Sequence, residues 1–216
     1  MRKYAINLRR KQNCSLVVCY KTKIPEKMEK IKIVGIGGSL TENSNSLFAL
    51  EYALRGAAEL GAETTLFDID KLNLPMYDTR INHVPPMAQA MCNAVAQAHG
   101  LIWCSPLYHG TISGAFKNAL DWLELLSNHT PKYLTNKVVG LVSTAGGVQG
   151  LQAINTMEFV VRALRGWTVP VTVAIARAWQ IFDEKGNLQD PAIEKQLYLL
   201  GKEVVLGSRR FAQVEV

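Results

Sequence analysis

Three short stretches of this chain, each following an apolar run, gather the residues whose types and spacing suit chemistry. The first, 37–46, sets Gly37 and Gly38 ahead of Ser39, Thr41, Ser44, Asn45 and Ser46, directly before a helical pattern. A strand-to-helix turn offering backbone N–H groups, hydroxyls and a helix N-terminus suits an anion, above all a phosphate. The same residues also suit ordinary N-capping by Ser44 or Asn45. The spacing is neither a P-loop nor the dinucleotide fingerprint, because Leu40 stands where the third glycine counted from Gly35 belongs. The second stretch, 105–111, carries Pro106, Leu107, Tyr108, His109, Gly110 and Thr111. Proline fixes the chain, tyrosine supplies an aromatic surface and glycine allows close backbone approach, properties that suit a flat heteroaromatic ring. The third, 143–150, holds Ser143, Ala145, Gly146 and Gly147. None of the three contains a clustered Asp/His/Glu set of the kind that holds a metal.

The elements that must position these stretches follow from periodicity. IKIVGI (31–36), ETTLFDI (63–69), GLIWCS (100–105), KVVGLVS (137–143) and TVPVTVAI (168–175) read as strands. Pro170 marks the last as an edge strand, since proline cannot donate to the ladder. Helical faces recur between them: Leu47, Leu50, Leu54 and Ala57; Met87, Met91 and Val95; Phe116, Ala119, Leu120 and Leu123; Leu151, Ile154, Val161 and Leu164; and Ile193, Leu197, Leu200 and Val204. Strands alternating with helices predict a doubly wound α/β sheet, with any ligand at the carboxyl ends of the strands. The three stretches all fall at such ends.

Charge excludes one class of function. Of 24 basic and 18 acidic residues, nine and two fall within residues 1–30, so the remainder carries 15 and 16 and a net charge of −1. A neutral body argues against nucleic-acid binding by the fold itself. Residues 1–30 read as a basic N-terminal extension, poorly ordered or a start-site artefact, ahead of one domain at 31–210. No apolar run reaches membrane-spanning length. Cys14, Cys19, Cys92 and Cys104 lack metal or disulfide spacing, which predicts reduced thiols and a cytoplasmic location.

The second stretch extends into SPLYHGTISGAFKNALDWL (105–123), which resembles the P-x-Y-x-G-[ST]-x-x-G-x-[FL]-K-N-A-[IL]-D-W pattern of the NADPH-dependent FMN reductase family. Gly38, Ser39, Leu40 and Ser44 resemble that family's phosphate loop, STAGGVQG (143–150) its segment beneath the flavin, and LPMYD (74–78) its L-P-x-[YF]-[DE] segment. Thr41 departs from the arginine common there. The resemblance implies a flavodoxin-like three-layer sandwich with a five-stranded parallel sheet in the order 2-1-3-4-5. It implies tightly bound FMN, its phosphate at Ser39, Thr41, Ser44, Asn45 and Ser46. The ring would meet Tyr77, Pro106, Leu107, Tyr108, His109, Gly110, Thr111, Ser143, Ala145, Gly146 and Gly147. It further implies hydride from NADPH or NADH, a small-molecule acceptor such as free flavin or a quinone, and a homodimer or homotetramer. No side chain is expected to act as acid or base, because the flavin carries the chemistry. Lys117, Asn118 and Asp121 are expected on a helix surface or subunit contact, Lys117 pairing with Asp121 four residues on, and Trp103 and Trp122 in packing.

A flavodoxin-like electron carrier without its own NAD(P)H reaction is the competing expectation, set back by the neutral body and by a phosphate loop unlike T-x-T-G-x-T. For the 2′-phosphate of NADPH, Arg55, Arg80 and Arg177 each remain open.

Overall fold

The β-branched run at 31–36 can bury both of its faces, as a strand inside a parallel sheet must. In a computed structural model, which describes residues 30–212, it forms β1 (Lys32–Gly37). Nearly all of the basic N-terminal segment therefore lies outside the described residues. Next come α1 (Asn45–Glu59), β2 (Glu63–Asp68), a single-turn α2 (Ile69–Leu72) and α3 (Pro86–Gln97). β3 (Gly100–Tyr108), β4 (Thr111–Ile112) and α4 (Gly114–Asp121) follow, α4 tightening into a 3-10 turn at Trp122–Leu126. β5 (Val138–Thr144), α5 (Leu151–Ala163), β6 (Trp167–Ile175) and α6 (Pro191–Ala212) complete the order.

The strands pair in the order β2-β1-β3-β5-β6, all parallel, and β4 pairs antiparallel with β3 alone. With β4 set aside this is the expected 2-1-3-4-5 order. Alternation along each strand builds two cores. Val34, Ile36, Leu101, Trp103, Val139 and Leu141 face α3, α4 and α5. Ile33, Ile102, Cys104, Val138, Val142 and Val173 face α1 and α6. β6 is the edge strand, and its register against β5 slips between Val139 and Leu141, opposite the stretch that contains Pro170. The missing N–H is absorbed by that irregularity.

Two predicted core residues are not in the core. Met87 is 42% and Leu151 55% exposed. Each lies in the first turn of its helix, where the stripe has run past the end of the sheet it packs on.

One buried cation sits at the opposite end of the sheet from the three stretches. Lys137 donates from Nζ to the carbonyls of Ala96 (3.0 Å) and Ala98 (2.5 Å), closing the C-terminus of α3. Burial pulls its pKa down from 10.5 to about 8. The unfolded chain therefore binds the extra proton between those values, and this group's contribution to stability rises as pH rises from about 8 toward 10.5. The neutral amine still donates to both carbonyls. The gap in unfolding free energy between wild type and Lys137→Met should thus move in favour of wild type by up to about 2 kcal/mol from pH 8 to pH 10 in urea titrations. A gap that stays flat, or moves the other way, would remove the desolvated ammonium from the account.

Candidate functional site

The carboxyl ends of β1, β3, β5 and β6 surround a cavity of about 330 Å³. Its first wall is the β1–α1 turn. Gly38 takes φ +98, which L side chains rarely adopt, and a Cβ there would lie 2.9 Å from Asp68 Oδ1. That turn delivers Ser39, Thr41, Asn43, Ser44, Asn45 and Ser46 to the cavity. Ser44 is the N-cap of α1, its Oγ accepting from Leu47 N at 3.3 Å. Ser39 Oγ accepts from Thr41 N at 3.2 Å, and the buried hydroxyls of Ser46 and Thr144 are 2.6 Å apart. The first-turn N–H groups of Asn45 and Ser46 have no intrahelical acceptor, and no acidic residue stands in that turn. Capping and anion binding are thus compatible here: the cap engages one donor and leaves others aimed outward.

The second wall is not the loop that proline and glycine suggest. β3 continues through Pro106, Leu107 and Tyr108, then reverses at His109 and Gly110 into β4, pairing Tyr108 with Thr111 and Leu107 with Ile112. His109 and Gly110 have φ of 50° and 83°, the backbone of a primed two-residue hairpin turn. The buried Ser105 Oγ accepts from Ser113 N at 3.1 Å and ties the hairpin to the start of α4. Pro106, Leu107 and Tyr108 line the cavity, while His109, Gly110 and Thr111 extend past it; the Thr111 hydroxyl lies 3.1 Å from that of Thr156.

Thr144, Ala145 and Gly146 after β5, with Ala178 and Trp179 after β6, form the third wall. Ala178 N donates to Ala145 O (3.0 Å) and Arg177 N to Gly147 O (3.2 Å), so the two loops are laced together. Ser143 is buried beneath them, donating to Gly150 O at 2.6 Å, and neither it nor Gly147 reaches the cavity. Tyr77 also stands apart, its ring edge-on to Trp122 with centroids 5.3 Å apart. Asn43, Thr144, Ala178 and Trp179 were not foreseen. Asn43 and Thr144 adjoin predicted positions, but Trp179 sits on a three-residue 3-10 turn that has no periodic signature.

Asn118 overturns the expectation of a surface role. It is buried; its Oδ1 accepts from Tyr77 N (2.8 Å), and its Nδ2 donates to the carbonyls of Pro75 (2.9 Å) and Leu74 (3.4 Å). Trp122 Nε1 also donates to Pro75 O at 3.0 Å. Asn118 thus clamps the segment after α2 onto α4. Asn118→Leu should cost about 2–3 kcal/mol by urea unfolding and speed proteolysis between 73 and 85, because Tyr77 N and Leu74 O lose their partner and Pro75 O keeps only Trp122. Unchanged proteolysis there would mean the clamp is redundant. Lys117 and Asp121 do pair, at 2.5 Å, on the exposed face of the helix. Trp103 and Trp122 are fully buried packing residues, and burial pushes the Cys104 thiol far above its usual range, leaving it protonated and inert.

A hydroxyl-lined strand-to-helix turn beside a hairpin carrying Tyr108, at the carboxyl edge of a parallel sheet in the order 2-1-3-4-5, defines a flavodoxin-like α/β protein. The solved flavoenzyme NAD(P)H:(acceptor) oxidoreductase FerB from Paracoccus denitrificans shares the fold, with a TM-score of 0.67 at 20% identity over 83% of this chain and 98% of that one. The family model for NADPH-dependent FMN reductases matches residues 31–180, and the chain belongs to that family. It is 32% identical over 160 residues to the NADPH-dependent FMN reductase ArsH of Shigella flexneri, an alignment covering 74% of this chain but 61% of that protein's length. Identity to the NADPH:quinone oxidoreductase of Arabidopsis thaliana is 27% over 199 residues, covering 84% of this chain and 91% of the relative.

Proposed function

We propose that the chain is an FMN-dependent NAD(P)H oxidoreductase. The observation that carries this reading is the cavity itself. Hydroxyls and free helix-terminal N–H groups line one end, apolar and aromatic surface the other, and none of its lining residues carries a formal charge. Such a cavity fits FMN: a phosphate at the end formed by Ser39, Thr41, Ser44, Asn45 and Ser46, and a flat ring against Pro106, Leu107, Tyr108, Ala145 and Gly146. It also fits a reaction whose chemistry the ligand brings with it, since the wall offers no carboxylate, imidazole or amine to move a proton. Bound FMN would supply hydride acceptance from NADPH or NADH and electron delivery to a second substrate.

The protein's own part is binding and orientation. Ser44 and the first turn of α1 hold the phosphate by neutral donors and the helix dipole, without the arginine that Thr41 replaces. The laced loops at 145–147 and 177–178 keep backbone groups at fixed positions along the ring edge. One site serving donor and acceptor in turn gives ping-pong kinetics, with free flavin or a quinone as acceptor. A cytoplasmic homodimer or homotetramer completes the proposal, supported by family resemblance.

The test is the visible absorption spectrum of the purified protein, followed by anaerobic addition of NADPH. Flavin bands that bleach on addition are the expected result. Flavin bands that persist would make the protein an electron carrier, and a colourless protein that takes up no added FMN would overturn the reading of the cavity.

A further inference from the structure

The cavity's neutral wall makes an unpaired cation beside it informative. Of the three arginines left open by the sequence for a phosphate on the nicotinamide donor, two are engaged. Arg55 lies 3.6 Å from Glu51 and 4.6 Å from the centroid of the Tyr52 ring; it is ten residues along α1 from Asn45, which is about 15 Å from the cavity end of the helix. Arg80 is held bidentate by Asp78, at 2.6–3.1 Å. Arg177 is different. It is exposed, and among the described residues no carboxylate lies within ion-pair distance of it.

Its placement is built rather than incidental. Arg177 holds a left-handed backbone (φ 47°, ψ 47°) at the end of β6, and its N–H is tied to Gly147 O. The next two residues, Ala178 and Trp179, line the cavity, and Trp179 stays 64% exposed. The Arg177 backbone is thus fixed beside the cavity, next to a wall that presents an exposed aromatic residue. A ligand with a flat base and a phosphate matches both features: the base has a surface to lie on, and the phosphate meets a planar donor suited to it.

We propose that Arg177 reads the 2′-phosphate of the nicotinamide dinucleotide and so sets a preference for NADPH over NADH. The inference rests on the reading of the cavity as the FMN site. NADPH and NADH share every other group, so a residue that acts on the 2′-phosphate separates them, whereas one that acts on the pyrophosphate does not. Arg177 is a specificity residue here and takes no part in hydride transfer.

The experiment is calorimetric titration of the flavin-loaded protein with NADP+ and, separately, NAD+, for wild type, Arg177→Gln and Arg177→Lys. Arg177→Gln should weaken NADP+ about 10- to 100-fold and NAD+ by less than about threefold, with Arg177→Lys between, because an ammonium keeps the charge and loses the fork. Equal weakening of both nucleotides, or none for NADP+, would overturn the assignment. So would loss of flavin from the variants, read by visible absorption, since Arg177 would then act on the resident group. Wild-type protein that takes up no flavin would instead overturn the reading of the cavity and this inference with it.

Discussion

The Ser46→Asp variant should fold normally and purify without flavin. Ser46 is buried in the first turn of α1, with its hydroxyl 2.6 Å from that of Thr144 at the cavity wall. A carboxylate at that position sits on the positive end of a 15-residue helix, which favours the fold. It also occupies the place proposed for the phosphate and repels it. At a separation of about 4 Å and an effective dielectric of about 20, each pair of unit charges costs about 4 kcal/mol, on the order of a thousandfold in affinity. The measurement is flavin content by visible absorption, with circular dichroism and thermal unfolding as controls for the fold. A folded variant that retains full flavin would place the phosphate elsewhere. Ser46→Ala is the milder companion: it removes one hydroxyl and should weaken FMN by about tenfold.

The second large effect concerns the packing beneath that site. Helices α1 and α6 cross at a pair of glycines. A Cβ on Gly201 would run into Ala53 O and lie 2.7 Å from Ala57 N, and one on Gly56 would lie 2.6 Å from Tyr198 Cα. The obstacles are backbone atoms, which cannot turn aside as a flexible side chain does. Gly201→Ala should therefore destabilise by about 3 kcal/mol or more, against the gain in helix propensity of about 1 kcal/mol that alanine ordinarily brings. Gly207→Ala, on the same helix, is the control. Its Cβ would meet only the side chain of Val138, at 3.1 Å, so propensity and contact nearly cancel. Urea unfolding of the two variants should differ by about 2 kcal/mol or more. Equal midpoints would mean that the helices separate at little cost.

Much of this architecture was legible in local pattern. Short apolar runs marked β1, β3, β5 and β6, and stripes such as Leu47–Leu50–Leu54 marked the buried faces of the helices, because burial on a sheet imposes those periods. The residues of the first cavity wall were legible for the same reason: Ser39 to Ser46 follow a strand and precede a helix. What escaped had no local signal. The hairpin at Leu107–Ile112 was hidden because a two-residue strand shows no alternation and proline argues for a loop. Asn118 looked like a surface residue, since its partners at Leu74, Pro75 and Tyr77 lie more than 40 positions away. Trp179 joined the cavity through backbone bonds between loops that no periodicity foretells.

The glycine crossing bears on the ligand as well as on the fold. α1 is both the element that offers its N-terminus to the cavity and one of the two locked together at Gly56 and Gly201. Its donors are therefore set before anything arrives, and little ordering entropy is surrendered on binding. A site assembled this way is preorganised: the FMN proposed for it would meet a rigid receptor instead of folding one around itself, and residues 44–59 should superimpose between the empty and the loaded protein.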